Sequence, residues 1–153
     1  VLDPDDPCSI RSVLDWEMAT IGNPLMDLGS SLAYWAEETD PEILKLFNLS
    51  HLPGNLTREE LMDYYFSKAA GSKEEMIFYY VFGLFKVAVI AQQIFKRYSQ
   101  GHSSDARFAQ LIYVVEAAGK KAIQTLQKNQ LYKSIKIQFK KNQIQSFTLK
   151  YQY

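Results

Sequence analysis

One short order of residues near the N-terminus constrains this chain more than any other. It runs Val13-Leu14-Asp15-Trp16-Glu17, then a loop to Gly22-Asn23-Pro24, then Leu25-Met26-Asp27-Leu28-Gly29. The apolar pair ahead of Asp15 predicts a buried strand over residues 9–14 that delivers a carboxylate to its end, facing a cleft. Oxygen ligands presented in this way suit a hard cation such as Mg²⁺ whose other positions are filled by phosphates. Gly22 supplies a turn, Asn23 is a good N-cap and Pro24 fits the first helical position, so a helix is expected to begin there. Leu25, Leu28, Leu32 and Trp35 carry it on as one apolar stripe to about Glu37. Asp27 falls in its first turn, where the helix dipole favours a carboxylate.

At these residues the chain resembles the aminoglycoside phosphotransferase and choline kinase family of small-molecule kinases. That family's metal-binding motif reads apolar-apolar-apolar-Asp-Trp-Glu, a short loop with Gly-Asp-Pro, and Asp-Leu-Ala or Asp-Leu-Gly. Asn23 stands where the family usually has Asp, and since both cap helices well the turn should survive. The resemblance covers roughly residues 1–126. It implies a mainly α chain, the helical C-lobe of a protein-kinase-like fold with a short N-terminal β element. It also implies that Asp15 holds Mg²⁺ against the phosphates of ATP while the γ-phosphoryl passes to a hydroxyl of a small-molecule substrate. Asn23 and Asp27 would support the site, Asp27 by bracing the catalytic loop from beneath. In the family a His-Gly-Asp segment and a later Asn precede the strand. Val1 to Pro7 looks like the turn just after that Asn, so the catalytic Asp is expected upstream of Val1 and no catalytic residue is assigned within the chain. A fragment of this kind should be inactive alone.

Glu37 and Glu38 close the first expected helix, and Asp40 follows. Carboxylates at a helix C-terminus oppose the macrodipole, so a solvated acidic loop is the plain expectation. In the resembled family acidic residues in the C-lobe can receive cationic substrates, which makes Glu37, Glu38 and Asp40, with Glu17, candidate substrate-side residues. Beyond them the pattern is helical. A short helical turn follows Pro41. Thr57-Arg58-Glu59-Glu60 is a capping box opening a helix to about Ala70, with Leu61, Tyr64, Tyr65 and Ala69 inward. Ser72-Lys73-Glu74-Glu75 is a second box, opening a helix to about Tyr98 that stops at Gly101. That helix is apolar enough to raise a membrane span, but Lys86 at its midpoint would cost at least about 2.5 kcal/mol in lipid. A core helix accounts for it better, and the close spacing of Phe78, Tyr79, Tyr80, Phe82 and Phe85 predicts burial nearly all round. A last helix is expected from about Asp105 to Gln127, with Phe108, Leu111, Ile112, Val115, Ala118 and Ala122 as its stripe.

Residues 127–153 change character. All 17 acidic residues of the chain lie at or before Glu116, and residues 117–153 hold eight lysines and no acid. Ile135, Ile137 and Phe139, then Phe147, Leu149 and Tyr151, alternate with polar residues, which is a β-hairpin pattern. This stretch reads as a basic tail outside the family pattern. A native appendage, a single-strand nucleic-acid arm and a non-homologous end all fit its narrow alphabet, the nucleic-acid reading being the weaker for having lysines and no arginine.

The lone cysteine, Cys8, excludes an internal disulfide, and a reducing, cytoplasmic setting is the natural expectation. His51 and His102 lack metal-ligand spacing and are expected on the surface. An alternative to the kinase fragment is a helical binding or scaffold module that pairs with a separately encoded partner, the surface open where the nucleotide lobe would sit being covered by oligomerisation or by the basic tail. If residues 129–153 are no part of the core, deleting them should move the thermal midpoint by less than about 4 °C. A fall of about 10 °C or more would make the tail integral.

Overall fold

In the computed structural model, which describes residues 1–128, the chain is mainly helical. Five α-helices follow an irregular N-terminal segment: α1 (Pro24–Tyr34), α2 (Glu42–Lys45), α3 (Arg58–Phe66), α4 (Lys73–Ser99) and α5 (Leu111–Lys128). Two 3-10 turns, Trp16–Met18 and Ala106–Gln110, precede α1 and α5. The hairpin expected in the tail lies outside the described residues.

The helix starts follow the caps. The Asn23 side chain accepts from the Leu25 N–H at 2.9 Å, and Pro24 takes the first position of α1. At α3 the Thr57 hydroxyl accepts from the Glu60 N–H at 3.2 Å while the Glu60 carboxylate accepts from the Thr57 N–H at 2.8 Å. Each arm satisfies a donor that the first helical turn cannot. Gly101, at φ +77°, ends α4 in a conformation that favours glycine.

The core is a layer of α1 and α5 packed on α4. Leu25, Leu32 and Ala33 of α1 and Val114, Ala117 and Ala118 of α5 bury against Met76, Tyr80, Leu84, Val87 and Ala91 of α4. On the α1 side the two backbones touch. A Cβ on Gly29 would fall 2.5 Å from the carbonyl carbon of Tyr79, and one on Gly83 would fall 2.4 Å from the Gly29 carbonyl oxygen.

Several expectations need correcting. The buried strand over residues 9–14 does not form. Val13 and Leu14 are 62% and 66% exposed, and the β element is a single antiparallel bridge between Leu2 and Ile10. Residues 1–3 and 9–11 pair around this bridge, the Asp3 N–H donating to Ser9 O at 2.9 Å and the Arg11 N–H to Val1 O at 3.0 Å. Among the described residues no third segment packs on it, so neither face of this ribbon is covered by them. Helix α1 ends at Tyr34, three residues short of Glu37, and α3 ends at Phe66, which leaves Ala69 outside it and Tyr64 exposed.

Helix α4 is long and apolar enough to cross a membrane by length and composition, and it is not buried all round. Phe78 and Phe85 are 65% and 59% exposed, because α1 and α5 cover only the opposite side. Phe78, Phe82 and Phe85 form one row, with ring centroids 6.2 Å apart at each step.

The glycine contact makes a direct prediction. Gly83→Ala should destabilise the chain by about 1–3 kcal/mol, as overpacked cores do. Gly119→Ala in α5, where an added Cβ meets nothing within 4 Å, should be neutral or stabilising by up to about 1 kcal/mol. Urea unfolding of the two variants beside the parent chain measures both.

Candidate functional site

Asp15 stands at a backbone conformation that its neighbours do not share. Its φ is 71° and its ψ 48°, and among the described residues it is the only non-glycine residue at positive φ. Aspartate tolerates this left-handed region better than most side chains, yet strained positions of this kind cluster where a side chain must be aimed. The turn that follows, Trp16–Met18, swings Trp16 back so that its indole N–H donates to Val13 O at 2.6 Å. The Asp15 carboxylate is exposed and carries no hydrogen bond or ion pair among the described residues. Glu17, one residue further into the turn, is exposed and free in the same sense.

A cleft of about 720 Å³ opens beside this turn, lined by Trp16, Thr20, Asn23, Asp27, Ser30 and Lys86 among others. Asn23 works in two directions there. Its oxygen caps α1, and its Nδ2 donates at 2.7 Å to the hydroxyl of Tyr79 on α4. Asp27 is exposed, without a partner among the described residues. Lys86, midway along α4, donates to the hydroxyl of Ser30, which itself donates to Met26 O at 2.7 Å.

The other candidates, Glu37, Glu38 and Asp40, lie past the far end of α1. Eleven helical residues, roughly 16 Å of axis, separate that end from Asn23. The expectation of a solvated acidic loop holds for Glu38 alone. The Asp40 side chain is 0% exposed and accepts from Arg58 and, at 2.5 Å, from Lys121, as well as from the Glu37 N–H at 3.0 Å. Glu37 takes the other side of Arg58, at 2.8 Å from Nη1 and 2.7 Å from the Arg58 N–H. The Arg58 Nε donates to Leu32 O at 3.2 Å, and the guanidinium sits 5.4 Å from the centre of the Tyr80 ring. Of the candidate substrate-side carboxylates, Glu37 and Asp40 are thus already engaged, while Glu17 and Glu38 stand exposed.

Burial alone would push the Asp40 carboxyl up. The hydrogen bonds from Arg58, Lys121 and the Glu37 N–H outweigh it and hold the carboxyl below its ordinary 3.8. Burial pushes the Tyr80 hydroxyl up to about 12. That oxygen has no hydrogen-bond partner among the described residues, and neither does the buried Nδ1 of His51. His51 is therefore half-buried where a surface histidine was expected, while His102 is exposed.

Sequence reasoning passed over Arg58, Lys121, Tyr79 and Ser30. Arg58 carried a signal: a cation in the first turn of a helix opposes the dipole unless carboxylates answer it. Among the described residues no group of three or more His, Cys, Asp or Glu side chains converges to hold a metal. A single carboxylate at Asp15 fits one protein ligand of a Mg²⁺ ion that keeps waters and phosphates in its other positions.

Residues 1–61, the part of the chain that carries the Asp15-to-Asp27 order, match the phosphotransferase enzyme family. The chain is also 34% identical over 105 residues to acyl-CoA dehydrogenase family member 11 of Mus musculus, covering 63% of this chain and 13% of that protein. The Homo sapiens member 11 is 36% identical over 101 residues, with the same two shares. Acyl-CoA dehydrogenase family member 10 of Mus musculus is 31% identical over 105 residues, 66% of this chain and 10% of that protein. The chain thus spans about an eighth of the length of the curated relatives it matches. No solved structure matches it.

Asp40→Asn should cost about 3 kcal/mol, since it leaves Arg58 and Lys121 facing a buried group that no longer balances them. Glu38→Gln, in the same loop but exposed, should stay within about 0.5 kcal/mol. Because folding lowers the Asp40 carboxyl, its contribution is complete above the ordinary carboxylate value and is lost as pH falls through and below 3.8. Denaturant midpoints between about pH 6 and pH 3 should therefore fall less steeply in Asp40→Asn than in the parent chain.

Proposed function

We propose that this chain is part of an ATP-dependent phosphotransferase that acts on a hydroxyl of a small molecule, and that Asp15 is its metal-holding carboxylate. The observation that carries the reading is the state of Asp15: an exposed, unpaired carboxylate at positive φ, at the head of the family-matched order of residues. When bound, Mg²⁺ would supply charge neutralisation for the phosphates of ATP. The chain's own residues do the positioning. Asn23 fixes the start of α1 and ties it to α4 through Tyr79, which sets the height of the loop that carries Asp15. Asp27 projects from the first turn of α1 into the same cleft, where it can accept a hydrogen bond from a catalytic loop packed above it.

Phosphoryl transfer is mostly positioning and charge stabilisation, and it needs an acceptor-side Asp that these 153 residues do not offer in a His-x-Asp setting. The isolated chain should therefore be inactive. The word dehydrogenase in the relatives' name describes whole proteins of which this chain matches about an eighth.

Calorimetry on the isolated chain should show no tight Mg²⁺ site, and it should hydrolyse no ATP above background. Mn²⁺ should broaden the Trp16 indole signal in the NMR spectrum of the parent chain, and Asp15→Asn should abolish that broadening. ATP turnover by the isolated chain that disappears with Asp15→Asn would refute the fragment reading, and broadening that survives Asp15→Asn would refute the metal role.

A further inference from the structure

Lys86 is the one charge in the long apolar run of α4 from Met76 to Phe95. A lysine in such a run normally reaches out to water or answers a carboxylate. Here it answers no carboxylate of the described residues and opens onto a cleft. Its side chain is half-buried and lies along the wall of the cleft beside Asp15, 5.7 Å from the centre of the Phe82 ring. No carboxylate of the described residues comes within ion-pair distance of its ammonium. The hydrogen-bond partner it has is the neutral hydroxyl of Ser30, and Ser30 is anchored in turn on Met26 O. One of the three ammonium donors is used, and the other two are left for whatever enters the cleft.

We propose that Lys86 is the anchor of an oxyanion subsite in this cleft, which takes a phosphate or carboxylate group of a ligand. Two further features of the cleft fit an anion. The N-terminus of the 11-residue α1 opens onto it, placing the positive end of the helix dipole there. Thr20 adds a hydroxyl to the lining. Asp27 is the opposing charge in the same cleft. Its effect makes the subsite testable.

The site needs no metal, so it stands or falls apart from the role given to Asp15. The experiment is a ¹H–¹⁵N NMR titration of the full chain at low ionic strength, without divalent cations, following the Trp16 indole and the Asn23 side-chain amide. Pyrophosphate is the probe in one arm and succinate in the other. Saturable shifts at both signals are expected, with a dissociation constant of about 1–10 mM. The arm that saturates at lower concentration identifies the class of oxyanion. Lys86→Met should weaken binding about tenfold or more, and Lys86→Arg should retain it. Asp27→Asn should tighten it by about threefold, the scale of one partly exposed like charge, an effect that a merely structural lysine would not produce. If neither probe gives a saturable shift, or if Lys86→Met folds and binds as the parent does, the proposal is wrong. Should Lys86→Met fail to fold, Lys86→Arg and Asp27→Asn still decide: loss of binding in the first, or no tightening in the second, overturns it.

Discussion

The close approach of α1 to α4 at Gly29 and Gly83 is the contact on which the rest of the arrangement depends. At interaxial distances that ordinary side chains impose, about 8–10 Å, neither backbone reaches the other. Here the carbonyl of Gly29 lies where a Gly83 Cβ would be. Both cross-helix bonds at the candidate site sit near this crossing. Asn23 meets Tyr79, four residues before Gly83, and Ser30, next to Gly29, meets Lys86. A wider crossing would pull both bonds apart and let the loop from Asp15 to Asn23 ride away from α4. Two absent methyl groups therefore set the height of the site.

The other end of α1 is fixed by charge. Taken singly, Asp40 and Arg58 each break a local rule: a carboxylate without a helix start to favour it, and a cation in the first turn of α3. Together they answer one another, with Glu37 and Lys121 completing the set. The network ties the loop after α1 to α3 and to α5, across 81 residues of sequence between Asp40 and Lys121. Burying it is expensive, and the four groups offset that cost only as a set. Its physical role is to hold three helices in register.

The parts of this structure that were legible in the sequence are the local ones. Caps at Asn23, Thr57 and Gly101 are decided by residues two or three apart, and α1, α3 and α4 start or stop there accordingly. What could not be read was pairing over long range. The strand over residues 9–14 was inferred from Val13 and Leu14 as if a partner sheet covered them, and no such cover lies in the described residues. The same error runs the other way at Asp40, judged solvated because the arginine and lysine that bury it stand 18 and 81 residues later. For α4, five closely spaced aromatics were read as burial on every side, when Phe78, Phe82 and Phe85 share a face that the described residues leave open.

The two ends of α1 differ in how their charges are satisfied, and that difference separates structure from function. Asp40, Glu37, Arg58 and Lys121 have spent their hydrogen bonds on one another. A ligand could use them only by breaking contacts that hold the helices together. Asp15, Asp27 and Lys86 have spent little or nothing: among the described residues, two unpaired carboxylates and an ammonium hydrogen-bonded to one neutral hydroxyl, Asp27 and Lys86 lining the cleft and Asp15 in the loop beside it. Unanswered charges of both signs would tend to pair if the chain let them. Here the Gly29–Gly83 crossing holds Lys86 with Ser30, and Asp15, in its left-handed turn, stays exposed. A rigid frame that keeps opposite charges apart is a frame prepared to receive groups between them.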